Sequence, residues 1–254
     1  SAVAPAPGDV ARARQLLVDA LRLHGRVDEA LAMLEAELVP PLRAAGDPAL
    51  CRALVALGVA QQLKGQYPEA LAALAEAINL ADAAGDAVEA VRAREVAGRV
   101  AFFAGQAGAA RTTLAAAVRR ARAAGLDHMV GPPLGLLGYL VATAGPDRQA
   151  EGLALLAEAN AHNRAIGDAY ALFDSLANLG NVHLAAGRFR DAAPAFAEGL
   201  TLIEQLNFHV ERAFGHLNLG SAWLELGDLA GARAQAKEAL HWARKQGRRF
   251  PEGF

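Results

Sequence analysis

The chain has 254 residues, 54% of them hydrophobic but only 6% aromatic, and 25 Lys plus Arg stand against 27 Asp plus Glu for a formal net charge of -2. So even a balance leaves no whole-molecule field to draw the protein to nucleic acid or anionic lipid. No window approaches the ~18 unbroken apolar residues of a membrane span, and the single cysteine, Cys51, excludes an internal disulfide framework and a thiolate-rich metal site.

Much of the hydrophobic fraction is alanine, the best helix former, while β-branched and aromatic strand formers are sparse. An all-helical fold is expected. Residues 1–8 ("SAVAPAPG") have the Ala and Pro content of a linker, and with no signal peptide in view the protein is expected to be soluble and cytoplasmic.

From residue 9 on, glycines act as a ruler. A turn glycine recurs at Gly25, Gly65, Gly105, Gly145, Gly187 and Gly227, at spacings of 40, 40, 40, 42 and 40. Five residues after each comes an alanine: Ala30, Ala70, Ala110, Ala150, Ala192 and Ala232. Seven residues before each sits Gly58, Gly98, Gly138, Gly180 or Gly220, with Val18 in the first unit. A third series, Gly46, Gly85, Gly125, Gly167, Asn207 and Gly247, closes each unit as left-handed helix ends require, and Asp47, Asp86 and Asp168 follow as N-caps. Between these marks apolar residues fall at helical spacing, as in Leu54, Leu57, Val59 and Leu63. The frame predicts six helical hairpins, twelve helices in all, at about 9–46, 47–85, 86–125, 126–167, 168–207 and 208–247. The small residue eight positions into each first helix is where two helices approach closely, so Gly180→Leu should overpack its crossing by about 1–3 kcal/mol.

The frame, clearest in "LANLGNVHLAAGRFRDAAPAFAEGL" and "HLNLGSAWLELGDLAGARAQAKEAL", resembles the tetratricopeptide repeat. At 40 residues it is similar to the longer variety of Pins-type adaptors and of bacterial signalling ATPases and MalT-like regulators, against about 34 for the common repeat. The resemblance implies one α-solenoid domain over 9–254, a right-handed superhelix whose first helices line a concave groove. It also implies a protein-interaction or sensor scaffold, rather than an enzyme, within a larger bacterial regulatory protein. The alternative is an oligomerisation or ligand-sensing module of a transcription regulator or signalling ATPase, and a weaker third reading is a nucleic-acid contact surface.

Two places depart from the frame. In the fourth unit "VGPPLGLLGYLVATAG" puts Pro132 and Pro133 where only a first helical turn tolerates them, and two extra residues separate Gly145 from Gly167. This is either an irregularity absorbed by longer loops or a hinge. At the other end "RRFPEGF", residues 248–254, reads as the start of a further unit or a cap, or as a sign that two copies cap each other, because solenoid ends need covering.

With the small residue as position eight, positions two, six, nine and thirteen of each first helix form one stripe. On it fall Arg12, Arg52, Arg92 and Arg99 in the first half of the chain and Tyr139, Asn178, Asn181, Phe214 and Asn218 in the second. Guanidinium forks bind carboxylates and Asn amides pair with an extended main chain, so the expected partner is a protein or peptide with acidic side chains in one part. Glu95 and Asp19 are near enough in sequence to pair with the arginines instead. Seven scattered histidines, with no HExxH or Cys–His spacing, predict no metal site, and no Walker, GxSxG or strand-linked GxGxxG motif predicts catalysis or a cofactor.

Overall fold

Left-handed glycines end the helices close to where the frame places them. Gly25, Gly46, Gly65, Gly85, Gly105, Gly125, Gly167, Gly187 and Gly227 all have φ between 62° and 82°. The computed structural model describes residues 7–23, 25–206 and 209–245, so Asn207, Gly247 and the 248–254 segment lie outside the described residues. The described residues form twelve helices and no strand, an all-α solenoid of six hairpins. They belong to two compact units, Ser1–Met129 and Val130–Phe254.

The first unit holds α1 (Pro7–Leu23), α2 (27–45), α3 (Ala49–Leu63), α4 (Tyr67–Ala84), α5 (Ala87–Phe103) and α6 (Ala107–Ala123). Helix α2 is not uniform: Val27–Met33 passes through a π-helical turn, Leu34–Leu38, into Val39–Ala45. Pro40 and Pro41 cause the widening, because neither has an N–H to donate and each ring crowds the carbonyl four residues earlier. In an α-helix Pro41 would face the carbonyl of Glu37, and Arg14 Nη1 donates to that oxygen instead at 2.9 Å. In this hairpin Val18 stands in place of the glycine, and Leu34, the first residue of the π turn, is fully buried with it.

The second unit holds α7 (Gly131–Ala142), α8 (Gln149–Ile166), α9 (Ala169–Ala185), α10 (Phe189–Leu206), α11 (His209–Glu225) and α12 (Leu229–Lys245). Helix α7 starts with Pro132 and Pro133 in its first turn, as expected. Gly145 departs from the frame: its φ of 167° is extended, and a 3-10 turn, Pro146–Arg148, takes up the two extra residues. The shift moves the buried small position along by two. Ala150 is exposed, and Gly152 takes the place that fully buried Ala30, Ala70, Ala110 and Ala192 hold elsewhere.

Four of the position-eight glycines each face a large apolar side chain of the second helix. A Cβ on Gly58 would stand 2.7 Å from Leu74 Cγ, on Gly98 2.5 Å from Leu114 Cγ, on Gly138 2.9 Å from Leu156 Cγ and on Gly180 2.6 Å from Phe196 Cδ1. Leu74, Leu114 and Leu156 are fully buried and Phe196 nearly so, so each glycine is the hole for the knob that centres its hairpin. Among the expected N-caps, Asp86 accepts from Glu89 N at 3.0 Å and Asp168 from Ala171 N at 2.9 Å. Asp47 lies one residue outside the N-cap, which is Pro48, and accepts from Ala49 N at 2.8 Å.

Candidate functional site

In the first unit α1, α3 and α5, the first helices of three successive hairpins, line a cavity of about 590 Å³. Its walls are Arg52 and Arg92 from position two, Gln15, Val55 and Glu95 from position five, Ala56 and Val96 from position six, and Asp19, Val59 and Arg99 from position nine. Three of the four sequence-predicted arginines therefore meet in one place. Arg12 is exposed on α1 and is not in the lining. Position thirteen does not contribute either: Leu63 and Phe103 are exposed and absent from the lining. Position five completes the lining because it lies one helical turn from positions two and nine.

The arginines are held by carboxylates. Glu89 sits in the first turn of α5, its N–H bound by the Asp86 cap and its side chain 7% exposed. One oxygen, Oε1, accepts from Arg52 Nε at 3.2 Å and Nη2 at 3.0 Å and from Arg92 Nη1 at 2.6 Å. Its other oxygen is buried with no hydrogen-bond partner among the described residues. Arg99 Nη1 donates to Glu95 at 2.7 Å, one turn away. The Arg52–Arg92–Glu89 trio thus carries one net positive charge, and its arginines share the lining with the apolar Val55, Ala56, Val59 and Val96 and with Asp19 of α1. The side chains of Arg52 and Arg92 remain 62% and 41% exposed. The sequence reading missed Glu89: three residues after an N-cap aspartate, a glutamate looks like part of a capping box.

Cys51, in the same helix as Arg52, is buried, and its thiol donates to Ala77 O at 3.3 Å. Burial, with the charges of Glu89 and Asp86 added, pushes the thiol up to about 11, which removes the thiolate a nucleophile needs.

In the second unit the same register puts Tyr139 on α7, Asn178 and Asn181 on α9 and Asn218 on α11, all half-buried, with Phe214 46% exposed. Two groups outside the stripe are deeply placed. His216 is 6% exposed, with Nδ1 2.7 Å from Gln235 Oε1. Under α7, Ser175 donates to Asn160 Oδ1 and accepts from Asn163 Nδ2 at 3.3 Å, a buried neutral network. Among the described residues no group of three or more His, Cys, Asp or Glu could hold a metal ion, and no helix is long and apolar enough to cross a membrane.

The comparisons with known proteins agree with this architecture. Solved structures resemble the chain over most of its length. BtubC from P. vanneervenii is 15% identical over 92% of this chain and 94% of its own, with a TM-score of 0.64. A Rap protein complexed with Competence and Sporulation Factor is 13% identical over 95% and 78%, with a TM-score of 0.70. A signal transduction ATPase with a tetratricopeptide repeat sensor from Pyrococcus horikoshii is 14% identical, and 94% of this chain covers only 36% of that one, with a TM-score of 0.69. Identities this low concern the fold alone. A comparison with curated protein sequences finds no match. Residues 172–207 match the family model of the tetratricopeptide repeat, and the fold of the described residues is that of the tetratricopeptide-repeat structures it resembles.

Proposed function

We propose that the chain is a non-catalytic scaffold that captures a peptide or a partner helix along its first helices, within a larger cytoplasmic regulatory protein of bacterial type. The observation that carries the reading is the lining of the 590 Å³ cavity, where two guanidiniums are pre-positioned by one buried carboxylate beside an apolar floor. Ion-paired arginines lose little side-chain entropy on meeting a ligand, and the trio's remaining positive charge selects for an acidic group. An extended segment with an acidic residue followed by apolar ones matches the first unit, and the half-buried amides of Asn178, Asn181 and Asn218 suit the main chain of such a segment in the second. Among structures of this fold, one is a Rap protein in complex with Competence and Sporulation Factor and another a Rap regulator in complex with a Phr* peptide, which supports a peptide ligand here. The sensor segment of the Pyrococcus ATPase supports the companion reading, a ligand-sensing module that restrains an attached effector.

An array of acidic–apolar decapeptides, probed with the labelled protein, tests the proposal. Arg52→Ala with Arg92→Ala is expected to weaken the bound peptides tenfold or more, about 1.4 kcal/mol, whereas Arg148→Ala, which removes an exposed pair with Glu151 in the second unit, leaves them bound. Equal binding by both variants would dispose of the arginine role.

A further inference from the structure

The last hairpin lacks its own knob. In the other five, the residue sixteen or eighteen positions after the small one is Leu34, Leu74, Leu114, Leu156 or Phe196, every one nearly or fully buried. Sixteen after Gly220 the chain has Ala236, and the atoms nearest to a Cβ on Gly220 are Gln235 Cβ at 3.1 Å and backbone atoms of Ala232 and Ala236. Two small residues thus face each other where elsewhere a leucine or phenylalanine fills the space. The result is a cavity of about 380 Å³ between α11 and α12, lined by Leu217, Gly220, Leu224, Leu229, Ala232 and Ala236 among others.

The rim carries what the hole lacks. Leu224 and Leu229 are 54% and 67% exposed. Forty residues earlier their counterparts Leu184 and Phe189 are half-buried, and Leu184 packs with Ala192 and Phe196 against Leu219 and Ala222 of the next hairpin. The outer face of α11 and α12 therefore continues, by register, an interface that the chain builds one hairpin earlier. Because knobs and hole lie on one patch, the patch is complementary to itself, the condition for a two-fold contact.

We propose that this face binds a second copy of the chain, with Leu224 and Leu229 of each protomer entering the groove between α11 and α12 of the other.

Sedimentation of the full chain over a range of micromolar concentrations tests the proposal. Wild type is expected at twice the chain mass, shifting to monomer on dilution. Ala236→Leu fills the groove from within and is expected to be monomeric with a thermal midpoint no lower than wild type, while Leu224→Glu with Leu229→Glu is monomeric by loss of the knobs. A wild type monomeric throughout, or an Ala236→Leu variant that still dimerises, overturns the proposal. So does a complex formed on mixing the double glutamate variant with Leu17→Glu, which alters an exposed leucine at the other end, because only a head-to-tail contact is restored that way.

Discussion

The second and fourth hairpins solve the same crossing differently. Between α3 and α4 one glycine, Gly58, opposes the flexible end of Leu74. Between α7 and α8 the approach is of backbone to backbone: a Cβ on Gly138 would stand 2.9 Å from Leu156 N and 3.0 Å from the carbonyl of Gly152, and one on Gly152 would strike the main chain of Ala142. Gly131 and Gly135 make room for side chains instead, those of Asn163 and Ser175 in the buried network. The glycines that look like a weak point in the sequence are thus the condition of its tightest packing. A low helix propensity costs about 1 kcal/mol per glycine, but here it is exchanged for contact area.

Three substitutions of one kind turn this contrast into a graded series, each read as a shift in the urea midpoint at constant slope. Gly152→Ala is expected to destabilise by about 3 kcal/mol or more, since its obstacle is main chain that cannot rotate away. Gly180→Ala meets the ring of Phe196, which is 2% exposed and can tilt only slightly; about 1–2 kcal/mol is expected. Gly58→Ala meets a leucine side chain, and the roughly 1 kcal/mol that alanine gains over glycine in a helix nearly offsets the crowding. Equal losses at all three positions would break the distinction. Hydrogen exchange sharpens it further, since close packing predicts that α7 is protected as well as α3; fast exchange across 131–142 alone would restore the hinge.

The same two regions show what was legible beforehand. Hairpin number, the left-handed glycines and the position-eight contacts follow from local rules, repeated often enough that a single sequence exposes them. Gly145 and Ala150 were misplaced because two inserted residues, Asp147 among them, can be absorbed as a 3-10 turn or as loop, and spacing alone does not choose between them. The π turn at Leu34–Leu38 was signalled by Pro40–Pro41 and overlooked. At the candidate site the stripe of positions two, six and nine is geometry and was readable. Glu89 as a bridge was not: Arg92 is three residues from it, but its other partner, Arg52, lies 37 residues away, and only the packing of α5 beside α3 brings them together. Ala236 is the opposite case: a missing leucine is visible in the aligned repeats, but its meaning depends on knowing that position to be the knob.

Buried polarity also differs between the units, and this gives the smallest effect. In the first the deeply placed polar groups are Gln61 and the ion-paired Glu89, in the second a neutral amide–hydroxyl network and His216, and His183 of α9 is half-buried. Burial first, then the neighbouring Arg188, holds His183 below its ordinary value, with Asp191 opposing; its Nδ1 is buried with no hydrogen-bond partner among the described residues. A histidine depressed in the fold binds fewer protons there than in the unfolded chain across the interval between the two values. Its contribution to stability is therefore present above the unfolded value of about 6.5 and lost as pH falls through the lower folded one. Exchange rates for amides of α9 should then rise between neutral and mildly acidic pH more than those of α3, after correction for intrinsic chemistry. His183→Gln should remove the difference. If α3 responds as strongly as α9, the pH dependence belongs to the carboxylates of the first unit instead, and the histidine has no part in it.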